Sequence, residues 1–471
     1  MDSQHFAIKG RVIGADDSQL QDALAHVYET PERPRCLCVP GGVEMYVARH
    51  RQFVVKRMPE SGSTHHPECP SYEPELQQSG LGELVGEAVL ESEPGRVELR
   101  VDFPWTRVTG RGVPRGEPQE VSEVGVPKRR MTLRALMHFL FERAGFNRWS
   151  PAMAGKRNQG VVRKYLLEAA EDIMVKGVPL AERLYVPEPF NESAKAEAAQ
   201  RRREKLAVLR PKDGQTPLAI VIGEFKASEA TSQGRRVWIR HMPDAPLLIA
   251  GKSWERIERV FAPLFEARDA DTDRPVRLVL AALIRARREY TYEIDAASLM
   301  LASEHWIPIE GVHELPLIDA LVAQHRRFVK PLRYDARSGA AFPNALLLDA
   351  GPRPVPLHML SAFMDPKERA TKVKAIAAAG QEVWVWATDQ LMPPLMPASL
   401  QSDQLNVSFT LKPAQGFRTR MTCSASAPVK KVVYAQHVMQ PSCEPARKRV
   451  YSRLLDGQHE WSGSEPDGET E

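Results

Sequence analysis

The order of elements between Leu315 and Met396 constrains this 471-residue chain more than any other feature. In Leu317–Phe328, the residues Leu317, Ile318, Leu321, Val322 and Phe328 recur at near-helical spacing. A short extended segment, Leu332–Asp335, is expected next. Phe342-Pro343-Asn344 then leads into an apolar strand, Ala345–Asp349. Gly351-Pro352 makes a turn, and Val355–Leu360 reads as a further strand. Asp365-Pro366 is a helix start, a capping side chain followed by proline at the first helical position, and Gly380 is a stop. Glu382–Ala387 alternates as a last strand. The sequence therefore predicts helix, three strands, helix, strand.

That order resembles the core of the restriction-endonuclease-like nucleases, the PD-(D/E)xK superfamily. In that superfamily an acid follows a proline at the start of the second strand, and an acid-x-lysine triplet sits on the third. The hairpin brings two carboxylates onto Mg²⁺, and the lysine stands beside the attacking water. Here Pro343-Asn344 occupies the first position, and His358-Met359-Leu360 lies at the second, fourteen residues on. An amide, an imidazole and an isobutyl group neither hold Mg²⁺ nor activate water. The resemblance thus implies a nuclease-like fold kept for binding. If catalysis survives, the relocated candidates are Asp349, at the end of the second strand, and Glu368 with Lys372, on the following helix. A second acid-x-lysine triplet, Glu224-x-Lys226, has Asp213 eleven residues before it. It lacks a preceding helix in register and leads into more strand, Arg236–Arg240.

The N-terminal part predicts a short strand, Phe6–Ile13, and a helix from Ser18 to Glu29. Arg35-Cys36-Leu37-Cys38 leads into the turn Pro40-Gly41-Gly42. Val43–Ala48 and Gln52–Lys56 then read as a hairpin. His65, His66 and Cys69 follow at once. Zn²⁺ takes four soft or borderline ligands in a tetrahedron, two close pairs clamping across a hairpin. Cys36, Cys38, His66 and Cys69 supply such a set, with His65 as the alternative histidine.

The middle of the chain is basic. Thr132 caps a helix over Leu133–Arg143, which Gly145 ends, and a second helix is expected from Val161 to Val175. Lys128, Arg129, Arg130, Arg134, Arg143, Arg148, Lys156, Arg157, Arg163 and Lys164 stand against one acid, Glu142. Lys156, Arg157, Arg163, Lys164 and Arg148 are the candidates for phosphate contact, while Trp149 is expected in the core. An exposed helix over 191–206, a strand over Pro217–Lys226, a helix from Trp254 to Ala267 and two long strands, Arg277–Arg285 and Tyr290–Ile294, complete a mixed region.

Length allows two to four domains. The net charge of +4 tolerates nucleic acid without demanding it. No signal peptide and no membrane-spanning run is read, so a cytoplasmic protein is expected. Five cysteines in a reducing compartment argue for thiols or metal over disulfides. The glycine fingerprints of nucleotide folds, the nucleophile elbow and HExxH are all missing, which argues against ATPase, dehydrogenase, hydrolase and zinc-protease readings.

Arg35–Cys38, Lys56–Pro59, His65–Tyr72, Gly80–Glu83, Arg100–Trp105 and the block from Phe328 to Trp386 carry a second resemblance that covers nearly the whole chain up to about Pro397. In these the chain resembles a bacterial family known as domain of unknown function 1173, typical of integrative elements and plasmids.

The fold expected is α+β in three units. Residues 1–110 form a strand-rich, zinc-ribbon-like module, 128–310 a basic helical and mixed middle, and 311–397 a restriction-endonuclease-like αβββαβ core. A glycine- and proline-rich linker at 110–127 and a polar tail at 398–471 are expected as unstructured. The function expected is that of a DNA-interacting accessory protein of a mobile element, catalytically silent, with structural Zn²⁺. The alternatives are a Mg²⁺-dependent nuclease with relocated carboxylates and a protein-interaction scaffold.

Overall fold

The computed structural model describes residues 4–49, 52–93, 96–108, 129–270 and 274–399. The expected linker at 110–127, and all but the first two residues of the expected tail, lie outside these.

The N-terminal strand expected over Phe6–Ile13 is instead a hairpin. Lys9 and Gly10 both take positive φ, 48° and 74°, and turn β1 (His5–Ile8) back into β2 (Arg11–Gly14). α1 (Leu20–Val27) buries Leu24 and Val27. β3 (Arg35–Cys36), β4 (Val43–Arg49) and β5 (Phe53–Arg57) complete a five-stranded sheet in the order β2-β1-β3-β4-β5. Its core residues Phe6, Leu24, Cys36, Met45 and Tyr72 cluster with Val329, Leu346 and Leu348 from the far end of the chain. The module is thus sealed by the C-terminal sheet.

β6 (Val89–Glu93), β7 (Arg96–Leu99) and β8 (Thr106–Val108) precede α2 (Leu133–Arg143). Thr132 caps α2 by accepting from the Ala135 amide at 3.1 Å, as expected. Eight of its eleven residues are buried, which makes it a central helix of the molecule. β9 (Arg148–Trp149) follows, then α3 (Gln159–Ala170), capped by Asn158. α3 stops short of Val175 because β10 (Ile173–Val175) pairs with β7 and with β11 (Val178–Pro179). α4 (Leu180–Arg183), β12 (Leu184–Tyr185), α5 (Lys195–Lys205) and β13 (Gln215–Pro217) lead on.

The next six elements are β14 (Ala219–Thr231), β15 (Gly234–Ile239), β16 (Leu247–Ala250), α6 (Gly251–Val260), α7 (Ala262–Asp269) and β17 (Val276–Arg288). Pro263, at the start of α7, splits what the sequence reads as one helix. β18 (Thr291–Ser303) completes a closed ring. β14 pairs antiparallel with both β15 and β17, β15 with β16, and β17 with β18, while β16 and β18 meet in parallel. Within the ring every strand of the five therefore has two neighbours, and β14 and β18 also pair outside it, with β12 and with Pro308–Ile309. Val221, Phe225, Val237, Ile239, Leu280 and Leu299 share one core. Ile220, Ile222, Val279, Ala281 and Met300 join Leu136 and Leu140 of α2 in another.

β19 (Pro308–Ile309) pairs with β18 and leads to α8 (Leu315–Ala323), β20 (Phe328–Val329), β21 (Ala345–Leu347), β22 (Val355–Leu360), α9 (Pro366–Ala378) and β23 (Trp384–Ala387). The helix–three strands–helix–strand order is present, with two shifts from the sequence reading. α8 ends at Ala323, and the first strand is Phe328–Val329, whereas Leu332–Asp335 pairs with nothing as a strand. The sheet runs β23-β22-β21-β20-β9. Only β22 and β23 are parallel, as the intervening α9 requires. β9 is contributed from the basic helical region, so one sheet crosses the expected boundary at 310.

Candidate metal centre

β3 carries Cys36, and the turn after it carries Cys38. Gly41 and Gly42 take φ of +82° and +67° there, and a Cβ on Gly42 would stand 3.1 Å from Cβ of Arg35. The turn is therefore built for glycine. A single 3₁₀ turn, Gly62–Thr64, ends at His65, and the Cys69 amide donates to the His66 carbonyl at 2.8 Å. These two turns aim His65 and Cys69 at the cysteines of β3. The donor atoms of Cys36, Cys38, His65 and Cys69 all lie within 4.8 Å of one another. Sγ of Cys36 and of Cys69 are 3.7 Å apart, and Nδ1 of His65 is 3.2 Å from Sγ of Cys38 and 3.7 Å from Sγ of Cys69. A tetrahedron with metal–sulfur bonds of about 2.3 Å has edges of roughly 3.8 Å, so the donors stand close enough together to hold a metal ion such as zinc.

Of the two histidines, the structure brings His65 into the cluster. His66 contributes its backbone amide, 3.5 Å from Sγ of Cys38, and its ring accepts from the Glu68 amide. His65 is 3% exposed and Cys36 fully buried. Further N–H groups face the sulfurs. The Gln4 carboxamide donates to Sγ of Cys36 at 3.1 Å and of Cys69 at 3.6 Å, and the Ser71 amide donates to Sγ of Cys69 at 3.4 Å. Hydrogen bonding from Cys38 and Cys69 holds the Cys36 thiol far below the usual thiol range, so the cluster favours a thiolate. Four protein donors, three buried and Cys38 half-buried, could form a closed coordination set, the arrangement of structural sites.

The second polar centre sits in the C-terminal sheet. Glu314, just before α8, is 2% exposed. Its carboxylate accepts from Nζ of Lys330 at 3.0 Å and from Nδ2 of Asn344 at 2.7 Å. Nζ of Lys372 donates to Oδ1 of Asn344 at 2.6 Å and to the Phe342 carbonyl at 3.2 Å. The Met359 amide also donates to Oδ1 of Asn344. Burial is the largest influence on Glu314 and opposes its ionisation, but Lys330, His313 and the Glu310 amide together outweigh it and hold the carboxyl at about 2. Burial draws Lys372 down to about 8, and burial with the Lys372 charge draws His358 down to about 3. Asn344 is thus gripped from both sides.

The relocated candidates do not converge there. Asp349 is held by Arg326, with Nη2 at 2.7 Å and Nε at 3.1 Å from Oδ1, and by the Arg327 amide at 2.8 Å. Glu368 is exposed in the first turn of α9, and its amide is capped by Asp365. Lys372 alone reaches Asn344. In the barrel, Glu224 is 6% exposed and paired with Arg240 and Arg277, each at 3.0 Å, while Asp213 occupies a left-handed turn at φ 53°.

The basic candidates divide. The Arg148 guanidinium donates to the carbonyls of Cys69 at 2.9 Å, Pro70 at 3.2 Å and Tyr72. Arg157 donates to the carbonyls of Gly145, Phe146, Arg148 and His305, and burial draws it down to about 10. Both are structural cations, turned inward. Arg163 pairs with Glu188 at 3.3 Å, Lys164 lies 3.9 Å from Glu168, and Lys156 is exposed. Trp149 is 1% exposed, in the core as expected. Sequence reasoning missed Gln4, Glu314 and Lys330. Glu314 beside Pro316 had a signal, an acid at a helix start, but nothing local marked it as buried.

Among known proteins, the family model described as "Protein of unknown function (DUF1173)" matches residues 6–389, and the chain belongs to that family. No curated protein and no solved structure matches it.

Proposed function

We propose that this member of the DUF1173 family is a DNA-interacting accessory protein whose N-terminal module is organised by zinc and whose C-terminal, nuclease-like core is catalytically silent. Asn344 carries the silent reading. Mg²⁺-dependent cleavage needs carboxylates converging where β21 and β22 meet. There the chain has an amide whose oxygen is taken by Lys372 and whose nitrogen is taken by Glu314. Glu314, the nearest carboxylate, is already neutralised by Lys330. Zinc would be held by Cys36, Cys38, Nδ1 of His65 and Cys69, and with no open position it would supply folding energy alone. Among the described residues, no helix is long and apolar enough to cross a membrane, and we place the protein in the cytoplasm. A mobile-element setting, which the family resemblance implies, gives such a protein DNA to meet.

An electrophoretic shift on single- and double-stranded DNA, with and without Mg²⁺, tests the reading. A salt-sensitive shift without cleavage is expected. Cleavage that vanishes in Asp349→Ala or Glu368→Ala would establish the relocated nuclease instead. No shift at low salt would leave the scaffold reading.

A further inference from the structure

We infer that the five-stranded barrel β14–β18 is a binding site for single-stranded nucleic acid, centred on β15 and on the two turns that join β14 to β15 and β17 to β18. The inference deepens the DNA-interacting reading above by giving it a site and a strand state. Numbered along the chain, the barrel closes in the order first, second, third, fifth, fourth, first, with the third and fifth strands parallel and helices between the third and fourth. This is the connectivity of the oligonucleotide/oligosaccharide-binding barrels, which use the second and third strands and the 1–2 and 4–5 turns to bind their ligands. Topology alone assigns no function, so the case rests on what the chain puts on that face.

β15 buries Val237 and Ile239 on one side and presents exposed Arg236 and half-buried Trp238 on the other. Opposite Trp238 the ladder is interrupted by a bulge between Phe225 and Ala227, which leaves Lys226 exposed as the extra residue. Bulges re-aim side chains in this way beside functional surfaces. The two turns lie together, since Nη2 of Arg287 donates to Oε1 of Gln233 at 3.3 Å. β17 and β18 are joined by a two-residue turn, Glu289-Tyr290, with Arg288 paired to Thr291. Tyr290 takes φ of 59°, a left-handed conformation that glycine or asparagine adopts at less cost, and the residue is 49% exposed. The Arg203 guanidinium stands 4.8 Å over that ring. A strained, exposed tyrosine steadied by a cation is a poor turn residue and a good stacking surface. Arg287 and Arg288 are exposed beside it.

The face thus carries Trp238 and Tyr290 for bases and Lys226, Arg236, Arg287 and Arg288 for phosphates. Stacking on aromatic rings requires bases that are unpaired, which selects a single strand over a duplex. The opposite outer side of the barrel is closed by α2, so this is the side left for a ligand.

Fluorescence anisotropy of the full chain with labelled dT20, rU20 and a 20-base-pair duplex tests the site. Tighter binding of either single strand than of the duplex is expected. Tyr290→Ala and Trp238→Ala should each weaken it by about five-fold or more. Arg236→Ala with Arg288→Ala should flatten the salt slope by about 0.7 for each phosphate no longer neutralised. Tyr290 and Arg288 are exposed, so their variants remain informative if Trp238→Ala melts early. Wild-type affinity for single strands in the Tyr290→Ala and Arg236→Ala/Arg288→Ala variants would overturn this site. If the binding disappears instead in Lys156→Ala/Lys164→Ala, the DNA-interacting reading survives without it. No binding of any of the three ligands at low salt would overturn both.

Discussion

The Cys36–Cys38–His65–Cys69 cluster and the Glu314–Lys330–Asn344–Lys372 cluster are both largely buried, polar and assembled from distant parts of the chain, yet they differ in the charged groups they contain. The first gathers three sulfurs and an imidazole, with N–H groups of Gln4, His66 and Ser71 facing the sulfurs and, among the described residues, no lysine or arginine hydrogen-bonded to a sulfur. The second encloses its own cations, since two ammonium groups serve one carboxylate and one amide. A buried charge must be paired or must bind an ion. The first cluster is a set that a metal ion could complete, and the second is complete without one. A donor-rich pocket is therefore best read by its counter-charges.

The largest break in this contrast should come from the metal side. Cys69→Ser is expected to lose zinc and to unfold the N-terminal module, because a structural zinc site contributes on the order of 10 kcal/mol. Elemental analysis of the reduced wild-type protein should give close to one zinc per chain. Its absence there would remove the contrast altogether.

Next in size is Lys330→Met, which leaves the Glu314 carboxylate buried without its ammonium. A loss of about 3–5 kcal/mol in urea unfolding is expected. Glu314→Gln added to Lys330→Met should recover most of it, since no charge is then left unpaired. Equal losses in the single and double variants would mean that shape, and not charge, decides there.

The smallest effect sharpens the contrast through pH. Lys372 titrates near 8 in the folded chain and near 10.4 when unfolded. Between those values the unfolded chain binds the extra proton, so stability rises with pH across that window. Relative to Lys372→Met, the wild type should gain roughly 2 kcal/mol from about pH 8 to about pH 10, as read by thermal or urea unfolding.

How far these features could be read in the sequence follows from how local their causes are. The cap at Thr132, the turn at Gly41-Gly42 and the helix start at Asp365-Pro366 depend on a few neighbouring residues, and each stands where the sequence puts it. The choice of His65 over His66 depends on the turn Gly62–Thr64, whose exit angle no spacing rule supplies. Closure of the barrel rests on β14 pairing with β17, some sixty residues on, so two long strands read as a mixed region. Arg148 and Arg157 look like solvent-facing cations in a basic stretch of sequence. They turn inward onto carbonyls of the turns around Gly145 and Cys69. Composition shows charge, but not which way a charged side chain turns.

The position of β9 also sets a timetable for synthesis. Arg148–Trp149 pairs with Phe328–Val329, made 180 residues later. At 5–20 residues per second, that strand waits about 10 to 40 s for its partner. An unpaired strand edge is prone to join the wrong neighbour over such a time. Cys69, Pro70 and Tyr72, whose carbonyls Arg148 grips, have by then already left the ribosome. The loop that carries Cys69 is thus available to hold β9 in place until the rest of its sheet is translated.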